Sequence, residues 1–337
     1  MLTSDRIRKI KEAIREQKDN LTSWFNSATE KEKEQCCCDE NCPADTIVCK
    51  HNEALHRIET GEFGKCVICN DYVESERLEI DFTTSVCLGH YSEEELRLLE
   101  QDLELAAKVQ QHLLPQNPPE INGLKIAAHT EPAKIVSGDY FDFFRYAKGE
   151  NGIAVADVMG KGLPASMLMS NLQASLRILG PEYEYPEKIV ERLNILFRYN
   201  LKLIKFITLF LLKIDTEKKE LTYCNAGHNP AYLYNPTGNK FSRLVTTGPA
   251  IGLMPEAKFS SQSVKYNQGD LLLIFTDGLT EARNENDDEF GEERIEKYLL
   301  ESSNKFPGEI ILDLRNQVRN FSRISRDDLT LIAVKFL

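Results

Sequence analysis

The chain has 337 residues, 42% hydrophobic and 28% charged, a composition that suits a soluble protein with room for two cores. Its net charge of −12, with no basic stripe, argues against a nucleic-acid partner, and no apolar run approaches membrane-spanning length. There is no signal-like N-terminus, and all but Cys224 of the nine cysteines precede residue 90, which reads as metal or redox chemistry in a reducing cytoplasm, not disulfides.

Residues 4–35 are rich in Lys, Glu, Arg and Gln, with Ile7, Ile10, Ile14, Leu21 and Phe25 spaced a helical turn or two apart. That spacing predicts an amphipathic helix, or two helices broken near Asp19-Asn20. Cys36, Cys37, Cys38 and Cys42 follow in a loop, and a shorter helix near Asp45–Glu59 carries Cys49 and His51. Three readings of this cluster stay open: exposed thiols without a role, a redox sensor, or a second metal site.

Cys66-Val67-Ile68-Cys69 and Cys87-Leu88-Gly89-His90 come next. Two close pairs of soft ligands, separated by a hairpin-length insert, suit one tetrahedral zinc ion. With the flanking Arg57–Gly64 and Glu76-Arg77-Leu78-Glu79, they resemble the DksA/TraR zinc-finger family over roughly residues 50–91. The resemblance implies a structural zinc on Cys66, Cys69, Cys87 and His90. The family usually has a cysteine in the last position, and histidine is a competent replacement. It also raises docking at RNA polymerase, but the family's acidic tip motif has no good match here. Residues 1–91 are read as a helical zinc-finger module.

Residues Ser92 to Gln116 read as a long helix, with Ser92 and Glu95 as a capping box and Glu93 and Glu94 favourable in the first turn. Leu96, Leu99, Leu103, Ala106, Gln110 and Leu113 form a heptad seam. The helix either packs on its own domain or pairs with a second copy, a homodimer through residues 92–114. Asn117-Pro118-Pro119 ends this linker, residues 92–118.

From residue 119 to the C-terminus, strand and helix patterns alternate in an α+β arrangement. Strands are expected at Leu124–Thr130, Tyr140–Tyr146, Gly152–Val158, Phe206–Ile214, Leu221–Asn225, Ala231–Tyr234, Asp270–Thr276 and Thr330–Phe336. Helices are expected at Leu163–Leu179, Pro186–Tyr199, Glu292–Ser302 and Pro307–Phe321. Four strand ends carry carboxylates. Gly138 lets the backbone approach closely while Asp139 and Asp142 project nearby; Asp157 follows an apolar run, as does Asp277; Asp327-Asp328 precede the last strand. Carboxylates converging with few basic neighbours repel one another unless hard cations lie between them, and oxygen-only ligands favour magnesium or manganese. Two such ions can hold a hydroxide and orient a phosphoryl group. His228, in Asn225-Ala226-Gly227-His228-Asn229-Pro230, reads as a structural turn residue in preference to a general acid, and no Cys-x5-Arg signature marks a cysteine phosphatase.

The order Gly-Asp-x-x-Asp, Ala-Asp-Val-x-Gly-Lys-Gly, Asn-Ala-Gly-His-Asn-Pro, Thr-Asp-Gly-x-x-Glu and Asp-Asp-x-Thr resembles bacterial PPM-type (protein phosphatase 2C-like) serine/threonine phosphatases, in the branch of the sporulation stage II E and sigma-regulator enzymes. Ser137 stands where that family usually has glycine. The resemblance, covering roughly Ala106 to the C-terminus, implies an αββα sandwich with a two-metal centre between two antiparallel sheets. It implies that Asp139 and Asp157 anchor two Mn2+ or Mg2+ ions, and that Asp277, Asp327 and the Val158 carbonyl complete the set. It further implies direct hydrolysis of phosphoserine or phosphothreonine on a regulatory protein, such as an anti-anti-sigma factor, by a metal-activated hydroxide. The rival reading is a non-catalytic scaffold whose zinc module binds the transcription machinery, against which the intact carboxylates speak.

Overall fold

Leu271–Phe275, five consecutive apolar residues, are all buried, as a strand covered on both faces requires. They form the central strand of one of two five-stranded sheets in a computed structural model that describes residues 4–27, 43–160, 162–197, 206–254, 256–302, 304–322 and 327–337. The chain divides into two compact units, Met1–Glu100 and Gln101–Leu337.

In the larger unit the strands are β1 (Leu124–Glu131), β2 (Asp139–Arg145), β3 (Asn151–Val158), β4 (Ile207–Asp215), β5 (Glu220–Ala226), β6 (Ala231–Asn235), β7 (Lys240–Leu244), β8 (Gln262–Lys265), β9 (Leu271–Phe275) and β10 (Leu329–Phe336). One sheet runs β1-β10-β9-β6-β7 and the other β2-β3-β4-β5-β8, with antiparallel neighbours throughout. Alternation along the strands sends Phe141, Val155 and Phe210 of one sheet and Leu272, Ile274 and Ile332 of the other into a shared core between them. The opposite face of the second sheet, with Tyr140, Ala156 and Leu211, is covered by α5 (Leu163–Leu179) and α6 (Pro186–Phe197). On the first sheet, Leu271, Leu273 and Leu331 pack under α8 (Gly291–Ser302) and α9 (Pro307–Phe321). The layers are the expected α-β-β-α sandwich.

All eight expected strands form within a residue or two of their predicted bounds. The edge strands β7 and β8 are not among the expected strands; they are short and mostly polar, and give no clear period-two signal. The helix expected at Pro186–Tyr199 runs to Phe197, and residues 198–205 lie outside the described residues.

The smaller unit pairs α1 (Ser4–Ser27) with α2 (Pro43–Glu59) and adds the short α3 (Ser75–Ile80). Ile14, Ala54, Phe63, Val73 and Leu78 form its core together with Cys66 and Cys87. Cys36, Cys37, Cys38 and Cys42, and the side chains of Leu21 and Phe25, lie outside the described residues. Cys49 is exposed, whereas His51 is buried with its ring edge-on to Phe82. The division between units falls within α4 (Glu93–Leu113), which starts with the expected capping box: Ser92 N donates to Glu95 Oε2 at 2.8 Å and Glu95 N to Ser92 Oγ at 3.2 Å. Among the described residues no helix is long and apolar enough to cross a membrane.

Candidate functional site

Asp139 opens β2 and Asp157 is the last residue but one of β3, and the two are direct cross-strand partners. Since side chains alternate, both share the inner face with Phe141 and Val155, at the end where the intersheet core gives way to loops. The opposing sheet brings Asp277, first residue of the short helix α7 (Asp277–Thr280) with only Thr276 between it and β9, and Asp327-Asp328 immediately before its neighbour β10. The two sheets are tied together at this point. Thr276 Oγ1 and Thr330 Oγ1 donate to Asp139 Oδ2 at 2.8 and 2.6 Å, and Thr330 N donates to Thr276 Oγ1 at 2.9 Å.

Asp139 is 1% exposed, and burial, reinforced by the neighbouring Asp157 charge, holds its carboxyl well above the usual carboxylate range. A site that penalises negative charge this way, with oxygen donors from both sheets, fits divalent hard cations.

Close backbone approach explains two glycines. A Cβ on Gly278 would lie 2.0 Å from the Asp328 carbonyl oxygen, so no side chain fits between β9 and the turn into β10. A Cβ on Gly138 would meet the Val158 carbonyl oxygen at 3.0 Å and Ala165 Cβ at 3.3 Å. The Val158 carbonyl thus borders the turn that carries Asp139, and the first turn of α5 rests on that turn.

Asp328 is a clamp. Its Oδ1 accepts from Ala133 N and its Oδ2 from Gly138 N, both at 2.7 Å, which holds the β1–β2 loop against the start of β10. Asp327 is half-buried and its Oδ1 accepts from Asp328 N at 3.0 Å. Asp142 does not join Asp139. Three residues along a strand, it points to the opposite face, where Arg177 Nε and Tyr140 Oη donate to its Oδ2 at 3.0 and 2.9 Å.

His228 sits in a buried turn set by Asn225, whose Oδ1 accepts from His228 N at 2.8 Å and whose Nδ2 donates to the Leu244 carbonyl at 3.2 Å. The His228 ring bonds through Nδ1 to Thr208 Oγ1 at 2.8 Å, and Thr208 is the cross-strand partner of Asp157. Burial pushes the imidazole down to about 4, so it is neutral. A buried neutral ring braced on β4 fits the structural role.

Gln110 has a part no single-sequence pattern showed. Its Nε2 donates to the Ser137 carbonyl at 2.7 Å and its Oε1 accepts from Ser137 N at 2.9 Å, both buried. The end of α4 is therefore fastened to the residue two before Asp139. Gln173 Nε2 adds a bond to the Leu113 carbonyl at 3.3 Å. The heptad seam is interrupted here, because Gln110 faces the protein's own sandwich; Leu99 is exposed, and Leu103 and Ala106 are half-buried.

In the smaller unit, the ligand atoms of Cys66, Cys69, Cys87 and His90 lie within 4.8 Å of one another, with Cys69 Sγ and Cys87 Sγ 3.6 Å apart. Burial opposes ionisation of Cys66, but the backbone amides of Cys69, Cys87 and Ile68 bring its thiol down to about 6. Burial and the two neighbouring thiols push Cys87 up to about 11. One stabilised thiolate among close sulfurs fits a soft, tetrahedral cation.

Comparison with known proteins agrees with this geometry. Residues 147–337 match the family model described as Stage II sporulation protein E (SpoIIE). The phosphoserine phosphatase RsbU of Bacillus subtilis (strain 168) is 34% identical over 215 residues, covering 61% of this chain and 64% of RsbU, so the chain spans just under two thirds of that relative. The SiaA-PP2C domain of Pseudomonas aeruginosa has the same fold, with a TM-score of 0.63 at 19% identity over 72% of this chain and 98% of that one. RsbX in complex with magnesium follows with a TM-score of 0.51 at 22% identity over 65% of this chain and 98% of that one. With two antiparallel sheets, carboxylates at their facing ends and a family match over more than half its length, this chain belongs to the Stage II sporulation protein E (SpoIIE) family.

Proposed function

We propose that the chain is a metal-dependent protein serine/threonine phosphatase whose active site lies where the two sheets open. The observation that carries this is the facing pair Asp139 and Asp157 on one sheet, opposed by Asp277 and Asp327 on the other. Asp139, Asp157, Asp277, Asp327 and the Val158 carbonyl would hold two Mg2+ or Mn2+ ions. When bound, the ions supply Lewis acidity and an activated water for phosphate-ester hydrolysis. Thr276 and Thr330 orient Asp139, and Asp328 holds the loop that leads to it. The name of RsbU, a phosphoserine phosphatase, supports a phosphoprotein substrate, and an anti-anti-sigma-type regulator suits this branch of the family.

The same reading gives residues 1–91 one structural Zn2+ on Cys66, Cys69, Cys87 and His90 and a regulatory role, with 92–118 as linker and 119–337 as the phosphatase domain. A homodimer would use the Leu96, Leu99 and Leu103 part of α4, since Gln110 is already engaged. The test is turnover of p-nitrophenyl phosphate and of a phosphorylated anti-anti-sigma protein with added manganese. Asp157→Asn and Asp277→Asn should each lower turnover by roughly two to three orders of magnitude with the fold intact. Wild-type turnover that persists in excess chelator refutes the assignment.

A further inference from the structure

Helix α5 carries one charged residue in seventeen, Arg177, in a chain that is 28% charged, and that guanidinium is held by Asp142. Its exposed residues are Leu163, Met167, Asn171, Ala174, Arg177 and Ile178, so the only charge on this outward face is Arg177, in the last turn. A helix on the outside of a sandwich normally shows water a charged stripe. The apolar end of this face starts beside the carboxylates, because Ala165 in the first turn of α5 packs on Gly138 and Met159 directly follows Val158.

A second exposed apolar group flanks the same place. Met159 N donates to the Phe206 carbonyl, and Ile251 bridges to Ile207 at the start of β4, so the 251–254 turn lies on the other side of that strand end. Asn194, near the end of α6, holds this turn through Gly252 N at 2.8 Å and the Met254 carbonyl at 3.2 Å. Met167 is 66% exposed, and Leu253 and Met254 are each 55% exposed. Three of the five methionines in the chain, Met159, Met167 and Met254, are thus exposed at the carboxylate end of one sheet. Exposed apolar clusters mark protein contact sites, and methionine suits them because its flexible, polarisable side chain repacks against a partner.

We propose that Met159, Leu163, Met167, Leu253 and Met254 form the docking surface for the folded phosphoprotein substrate. The proposal rests on the phosphatase reading above. Two observations favour the substrate as occupant over a second copy. The surface is continuous with the carboxylates that a substrate phosphoserine must reach, so any protein presenting that group covers it. Its helix α5 also carries no carboxylate, in a chain of net charge −12, where a partner bearing a phosphoryl dianion has to settle.

The test compares kcat/KM for a phosphorylated anti-anti-sigma protein with kcat/KM for p-nitrophenyl phosphate, in full-length protein with manganese. Met167→Glu and Met254→Glu should each lower the ratio of the two by about tenfold or more, through KM for the phosphoprotein. Leu312→Glu, an exposed apolar site on α9 remote from this surface, should leave the ratio unchanged. The proposal is overturned if both substrates lose activity in parallel, if the ratio does not move, or if light scattering shows that the substitutions halve the mass of the particle. Wild-type protein that hydrolyses p-nitrophenyl phosphate but no folded phosphoprotein removes the substrate reading and this proposal with it. Protein inactive on both substrates, with manganese present, refutes the phosphatase reading itself.

Discussion

Gln110 joins the linker helix to the turn that carries Asp139, and Gln110→Met isolates that joint. Methionine matches glutamine in length but offers no donor or strong acceptor, so both bonds to Ser137 disappear while most of the packing stays. Gln110 and Ser137 are both buried, so the Ser137 N–H and carbonyl lose partners where water does not replace them. Each buried group left unpaired costs about 1–3 kcal/mol, so the expected loss for the two is about 2–6 kcal/mol in unfolding free energy. Part of that strain falls on Asp139, whose backbone N–H bonds to Ser137 Oγ at 3.0 Å. If about 1.4 kcal/mol of it reaches the carboxylates, the manganese concentration for half-maximal activity rises about tenfold. Urea denaturation followed by circular dichroism reads the first effect at unchanged m-value. A manganese titration of p-nitrophenyl phosphate hydrolysis reads the second. A variant with the wild-type unfolding midpoint and the wild-type manganese dependence would refute the coupling.

Gly278→Ala should be severely damaging, because its Cβ meets the Asp328 carbonyl at 2.0 Å; a loss of about 1–3 kcal/mol in stability and of most turnover is expected, and wild-type kinetics would contradict the close approach. His228 titrates at about 4 in the folded protein, below its ordinary 6.5, so its contribution is complete above pH 6.5 and is lost as pH falls toward 4. That contribution is about 3 kcal/mol, and His228→Gln should remove this part of the acid limb from a pH series of unfolding free energies. Asp139, raised by burial, acts in the opposite direction, so the difference between wild type and variant is the quantity to measure. Elemental analysis should find about one zinc per chain, lost in Cys66→Ser together with cooperative unfolding of the smaller unit; full zinc retention in that variant would rule the site out.

The sandwich was legible in the sequence because its determinants are local and periodic. Runs such as Leu271–Phe275 and Leu329–Phe336 are apolar on both faces, Pro164 and Pro307 open helices, and Gly138 and Gly278 sit where turns are tight. The candidate carboxylates could be picked out for the same reason, since an Asp at the end of an apolar strand conflicts with burial unless something compensates for it. The pairing of Cys66-x-x-Cys69 with Cys87-x-x-His90 likewise follows from ligand spacing. Tertiary structure alone decided which neighbours serve those residues. Asp328 differs from Asp327 only in where the chain turns, yet its carboxylate faces two backbone amides from a loop nearly two hundred residues away in sequence. Asp142 resembles Asp139 in type and lies three positions along, but strand alternation turns it outward to Arg177. Gln110 fits a heptad seam in sequence, and only the docking of α4 on the sandwich turns it inward to Ser137. Such contacts depend on which surfaces meet once the chain has folded. Periodicity reports the face a residue occupies, and it carries no information about the partner that face will find.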